Sequence, residues 1–151
     1  MIRRAEGSEA GEIARIVNAA FEVEREFRKG DRTSATEIAG LLERDAFFVA
    51  EEAGRLIGAV HTAIEGTSGY FGMLAVDSSI RRAGVGRALL TAAEEHCRRA
   101  GCTKMTLSTG EDRKELIPYY ERLGYRVTLI EPSTSAAFKR PVRIVRMAKD
   151  L

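Results

Sequence analysis

The chain reads as a single α+β domain with amphipathic helices inserted among strands. Three observations predict this class. Two β-rich runs, Phe47 to Glu51 and Leu56 to Ile64, flank Ala53-Gly54-Arg55, the pattern of an antiparallel hairpin. A strand-like run ending at Val76 leads into two closely spaced glycines, Gly84 and Gly86, and then into a helical period that lasts to about Ala100. Finally, 151 residues that are 44% apolar along the whole length can bury one sizeable core but have little room for a second, so one domain is expected over 1–151.

Taken in order, residues 2 to 5 suit a short opening strand, and Ser8 is placed to cap a helix to about Phe21 with Ile13, Ile16, Val17 and Ala20 on one face. The polar linker Gly30-Asp31-Arg32-Thr33-Ser34 precedes a second helix, Thr36 to Arg44, in which Ile38, Leu41 and Leu42 recur at helical spacing. After the hairpin, Gly66 and Gly69 precede a strand over Tyr70 to Val76. The long helix from Val85 is expected to turn Val85, Leu89, Ala92, Ala93 and Cys97 inward and Arg87, Glu94, Glu95, Arg98 and Arg99 outward, and Gly101 stops it. A strand over Lys104 to Ser108 follows, then a short helix near Lys114 to Leu123 that ends at Gly124. Pro118 falls early enough in it for the missing N–H to cost little. Tyr125 to Ile130 and Val142 to Met147 form a closing strand pair across the turn-rich loop Pro132 to Pro141.

Charge narrows the function classes. The 24 basic and 22 acidic residues leave a formal charge of +2, far from the balance of a nucleic-acid-binding protein. Arg98 and Arg99, the basic patch of the long helix, stand at pairing distance from Glu94 and Glu95. The N-terminal stretch carries charges throughout and has no apolar run fit for a signal sequence or membrane span, so a cytoplasmic protein without membrane or nucleic-acid partners is expected. Two cysteines, Cys97 and Cys102, are too few for a zinc site or disulfide framework, so no metal is expected.

The most informative segment is the turn from Val76 through Asp77-Ser78-Ser79-Ile80 into Arg81-Arg82-Ala83-Gly84-Val85-Gly86-Arg87. A helix start has unpaired N–H donors and a partial positive charge, and glycine lets a phosphate approach the backbone. Arg81, Arg82 and Arg87 add charge. Leu89 stands where a dinucleotide fingerprint needs a small residue, and the chain has no Gly-Lys-Ser/Thr triplet for a Walker loop.

Arg81-Arg82-Ala83-Gly84-Val85-Gly86 resembles the Arg/Gln-x-x-Gly-x-Gly/Ala signature of the GNAT superfamily of acyl-CoA-dependent N-acyltransferases. Tyr120-Glu121-Arg122-Leu123-Gly124-Tyr125 is similar to a second motif of that family, in the right order. The likeness is specific between about residues 46 and 127. It implies a three-layer fold: a mixed, largely antiparallel sheet flanked by helices, with two splayed parallel central strands, Met73 to Val76 and Lys104 to Ser108, between which pantetheine lies. It further implies acetyl-CoA as co-substrate, backbone contacts from Leu74, Ala75 and Val76, and pyrophosphate binding by the backbone from Arg82 to Arg87. Tyr120 corresponds to the tyrosine that protonates the departing thiolate. A phenol near pKa 10 can deliver a proton to a thiolate of roughly 8.5. Where many members carry asparagine, seven residues before that tyrosine, this chain has Arg113, whose guanidinium is able to bind a phosphate or a carbonyl.

The implied reaction is direct attack of a primary amine on acetyl-CoA in a ternary complex. The amine must first lose a proton, and Glu22, Glu24, Glu26, His61, Glu65 or a water are the candidate bases. Tyr70 is a further cleft-lining candidate, and Arg25, Arg28 and Arg32 suit an anionic acceptor. The alternative is an acyl-CoA sensor without turnover. A homodimer is compatible with the family.

Overall fold

The computed structural model describes residues 1–80 and 84–151; Arg81, Arg82 and Ala83 lie outside the described residues. Seven strands make one sheet: β1 (Ile2–Arg4), β2 (Ala46–Glu52), β3 (Arg55–Glu65), β4 (Ser68–Val76), β5 (Lys104–Gly110), β6 (Arg126–Ser133) and β7 (Val142–Asp150). Their order is β1-β2-β3-β4-β5-β7-β6, and every pairing is antiparallel except β4 with β5. The β2–β3 turn is two residues, Ala53 and Gly54, both at positive φ (53° and 75°), the twist that matches flanking strands best.

Helices cover both faces. On one, α1 (Ala10–Ala20) and α2 (Ala35–Arg44) set Ile13, Ile16, Val17, Ile38 and Leu41 against Phe47, Val49, Ala59 and Met73. On the other, α3 (Val85–Arg99) and α4 (Leu116–Arg122) bring Leu89, Ala93, Cys97 and Tyr120 onto Val60, Phe71, Met105 and Met147. The three layers expected from the family likeness are therefore present. Helix α3 packs close because Gly69 has no side chain: a Cβ there would stand 2.6 Å from Cys97 Sγ and 2.9 Å from Met105 Sδ. No described helix is long and apolar enough to cross a membrane.

Four local expectations need correction. A 3-10 turn (Gly7–Glu9) precedes α1, and the carboxylate of Glu9, rather than the Ser8 hydroxyl, accepts a hydrogen bond at this helix start, from Glu6 N at 2.8 Å. Ser34, placed in the linker, is the N-cap of α2, accepting from Glu37 N at 3.1 Å, and the linker is tied to α1 by paired Asn18–Thr33 hydrogen bonds. Glu94 points inward: it is buried and accepts from Tyr125 Oη at 2.6 Å and Lys149 Nζ at 3.2 Å, so Arg98 and Arg99 both pair with Glu95 instead. Leu90, Glu94 and Cys97 continue the buried stripe at i, i+4 and i+7, a width that an apolar-only pattern conceals. Pro132 belongs to β6, the edge strand of the sheet, the position in which a proline is tolerated.

Candidate active site

The cleft arises where the sheet fails to stay closed. β4 and β5 pair only at Ser68–Lys104, Gly69–Met105 and Tyr70–Thr106, then part. The cause lies on the opposite edge of β4. Between the pairs His61–Gly72 and Ala59–Ala75, the single residue Val60 faces two, Met73 and Leu74, and Met73 takes φ = 52°. Such a bulge bends its strand and re-aims its peptide groups, while β5 stays bound to β7 as far as Gly110–Ile144. A cleft of about 370 Å³ fills the fork. Leu74, Ala75 and Val76 line it, and beyond Tyr70 the β5-facing backbone groups of β4 have no strand partner.

At the Val76 end, α3 begins on Gly84, whose φ of 90° favours glycine, and the first-turn N–H groups lack intrahelical acceptors. A Cβ on Gly86 would lie 3.2 Å from Tyr119 Oη and 3.7 Å from Val76 Cγ2, so this glycine keeps a slot open beside the cleft. Gly84, Gly86, Arg87 and Tyr119 line an adjoining hollow. A thin, unbranched ligand arm with an anionic head fits this arrangement: backbone groups along β4, glycine at the helix start, positive dipole behind it. Arg81, Arg82 and Ala83, expected at the same turn, are outside the described residues.

Tyr120 is buried on α4, lines the cleft, and packs edge-on against Phe71, Tyr119 and Tyr125. Its position follows from Tyr125 N and Leu123 N, which both bond to the Tyr120 carbonyl and close α4 at Gly124 (φ 98°). Burial raises its pKa well above the usual phenol value, neighbouring Tyr119 adds to this, and the Arg113 charge opposes it. The group is therefore a neutral proton carrier at physiological pH.

The other end of the cleft is walled by α1, the 3-10 segment Glu22–Glu26 and the loop to α2. Glu24 is its hub, 5% exposed: Arg28 donates to Oε1 at 3.0 Å and Arg113 Nη1 to Oε2 at 2.8 Å. Arg113 also reaches Glu115 at 3.2 Å and lies over the Phe21 ring. Sequence spacing puts Glu24 among the candidate bases, yet its role as a buried link across 89 residues has no local signal. Of the other candidates, Glu22 is exposed and pairs with Arg25, Glu26 and Glu65 are exposed, and His61 is buried with Nε2 2.9 Å from Asp45. Glu24 alone among these lines the cleft. Phe27 and Phe138, missed in the sequence, also line it, because the bridge Arg28–Phe138 folds the β6–β7 loop onto this end. Among the described residues no group of His, Cys, Asp and Glu is suited to a metal ion.

Comparison with known proteins agrees with this geometry. The sequence profile of the Acetyltransferase (GNAT) family matches residues 12–125. The chain belongs to that family. An uncharacterized Bacillus subtilis protein, YdhI, is 31% identical over 98 residues, which are 65% of this chain and 60% of YdhI. Among solved structures, the ribosomal-protein-alanine N-acetyltransferase from Brucella melitensis superposes with a TM-score of 0.81 at 22% identity, covering 100% of this chain and 99% of that one. The phosphinothricin acetyltransferase from Sinorhizobium meliloti, solved in complex with acetyl-CoA, gives 0.79 at 18% identity, covering 100% and 88%. The GNAT fold is thus established, with its open sheet and parallel β4–β5 pair.

Proposed function

We propose that this GNAT protein transfers an acetyl group from acetyl-CoA to a primary amine by direct attack in a ternary complex. The observation that carries the reading is the β4–β5 fork, in which the unpaired β4 backbone, the open slot at Gly86 and the buried Tyr120 hydroxyl border one cleft. Pantetheine would run along Leu74, Ala75 and Val76, with the pyrophosphate on the backbone of residues 82–87. An N–H at the Met73–Leu74 bulge would stabilise the oxyanion that develops as the amine adds to the thioester carbonyl.

The amine nitrogen bonds to the carbonyl carbon, the C–S bond breaks, and the proton lost from nitrogen is matched by one gained at sulfur. Because burial holds Tyr120 above the thiol in pKa, complete transfer to a free thiolate is uphill. The phenol therefore acts as C–S cleavage proceeds, when charge on sulfur is greatest. With both oxygens of Glu24 held by arginines, we assign removal of the amine proton to water in the cleft. The proposal places the enzyme in the cytoplasm, where the two free, buried thiols Cys97 and Cys102 remain reduced.

The test is thiol release from acetyl-CoA across a panel of amines. Release with one acceptor class supports the proposal; acetyl-CoA binding without release under any amine identifies a sensor instead. Tyr120→Phe is expected to lower kcat by about 100-fold or more and to leave the acetyl-CoA Kd within about twofold, because ring packing is retained. An unchanged kcat removes Tyr120 from the mechanism.

A further inference from the structure

We infer that the acceptor amine carries a carboxylate, as an amino acid does, and that Arg32 receives it. The inference rests on the acetyltransferase reading and deepens it at the end of the cleft away from the glycine turn.

Charge accounting at that end is uneven. Arg25 is committed to Glu22 and Asp31. Arg28 and Arg113 share the one buried carboxylate, Glu24, and Arg113 has Glu115 as well. Arg32 lines the same cleft with its guanidinium 5.5 Å above the Phe21 ring, and among the described residues no carboxylate lies within ion-pair distance of it. A guanidinium does not escape by losing its proton in a protein, so one positive charge is left in a half-enclosed site. Burial first, and then the like charge of Arg28, lower its pKa from the usual guanidinium value, and the more distant Tyr70, Glu24 and Glu37 offset this only in part. An anion brought in with the substrate relieves both penalties and can be held through two parallel N–H donors.

Position rules out the CoA pyrophosphate as that anion. Arg32 and Tyr70 line the cleft together, and Tyr70 marks the last β4–β5 pair. The glycine turn lies beyond Val76, six residues along β4, roughly 20 Å away for an extended strand. Gly72 leaves room for Tyr70: a Cβ at residue 72 would stand 2.6 Å from Tyr70 Oη, so the ring leans forward along β4 over that glycine and lines the same cleft as Arg32. Phe21, Phe27 and Phe138 supply an apolar wall beside Arg32. A carboxylate next to an apolar side chain is the chemistry of a hydrophobic amino acid. The unbalanced cation disfavours polyamines and lysine-rich peptides.

Phenylalanine, phenylalaninamide and phenethylamine share one side chain and differ in the carboxylate. Thiol release with acetyl-CoA is expected to favour the free acid over both others by more than tenfold, even though the amide has the less basic amine. Repeating the comparison with leucine, methionine and their amides guards against a side-chain mismatch. Arg32→Met is expected to lower kcat/KM for the acid at least 30-fold, chiefly through KM, with acetyl-CoA Kd unchanged; Arg32→Lys falls between. Equal use of acid and amide, or an unaltered KM in Arg32→Met, overturns the inference while leaving acetyl transfer intact. Should no amine release thiol, the transferase reading fails, and calorimetry with N-acetyl-phenylalanine on the CoA-loaded protein decides the anion site separately. Binding lost in Arg32→Met supports the site, and no binding to the wild type overturns it.

Discussion

At the scale of single residues, the site is governed by how few of its charges are free. Arg113 illustrates this. Its guanidinium is fixed by Glu24 at 2.8 Å and Glu115 at 3.2 Å, so its first duty is to neutralise a buried carboxylate. Arg113→Ala leaves Glu24 with Arg28 alone and is expected to cost about 1–3 kcal/mol in urea unfolding, below the cost of stripping a buried charge of its only partner. The acetyl-CoA Kd is expected to change less than about threefold; a larger loss would restore the phosphate- or carbonyl-binding role that its place before the tyrosine motif suggests. Because the Arg113 charge also lowers the Tyr120 pKa, the same variant makes the phenol a poorer acid.

At the scale of elements, the decisive device is one strand with two different edges. Near its start β4 is closed on both sides, and Gly69 lets α3 and β5 approach it together. Past Tyr70 the bulge at Met73 opens the β5 side. Gly69→Ala forces a methyl against Cys97 and Met105, both fully buried. Overpacking of this kind is expected to destabilise by about 1–3 kcal/mol, lowering Tm by about 2–4 °C per kcal/mol in a chain of this size. A Tm within 1 °C of wild type would show that α3 can shift at no cost. Gly58 gives the same helix its second close approach, to Leu89 and the Ala75 carbonyl.

For the molecule as a whole, stability is tied to pH through groups that join distant segments. His96 on α3 packs edge-on against Phe48 of β2, and burial, with the Arg4 charge of β1 as a lesser cause, holds its pKa below the ordinary 6.5. The unfolded chain therefore binds this proton at a higher pH than the folded one. Stability from this group is complete above the ordinary histidine value and declines as pH falls below it. His96→Gln is expected to lose less stability than wild type between pH 7.5 and 5.5. Parallel curves for the two proteins would show that His96 titrates alike in both states.

Much of the architecture was legible because its causes are local. Alternating apolar runs around Ala53-Gly54, the 3.6-residue period after Gly84 and the stop at Gly101 each state an element within a short window. The two motifs around Gly84-Val85-Gly86 and Tyr120 likewise carry the family, since a glycine turn at a helix start and a short capped helix are each contiguous in sequence. What no window contains is pairing between remote segments. Glu94 reads as a surface residue until Tyr125 and Lys149 arrive to bury it. Glu24 becomes a hub only when Arg113, 89 residues away, closes over it. Arg32, one of three equivalent arginines in the sequence, differs from the others because the fold pairs Arg25 and Arg28 directly with carboxylates and, among the described residues, leaves Arg32 without an ion pair. The sequence determines which groups exist and which elements they ride on; the tertiary structure alone decides which charges are cancelled, because that depends on distances between segments that the chain order does not encode.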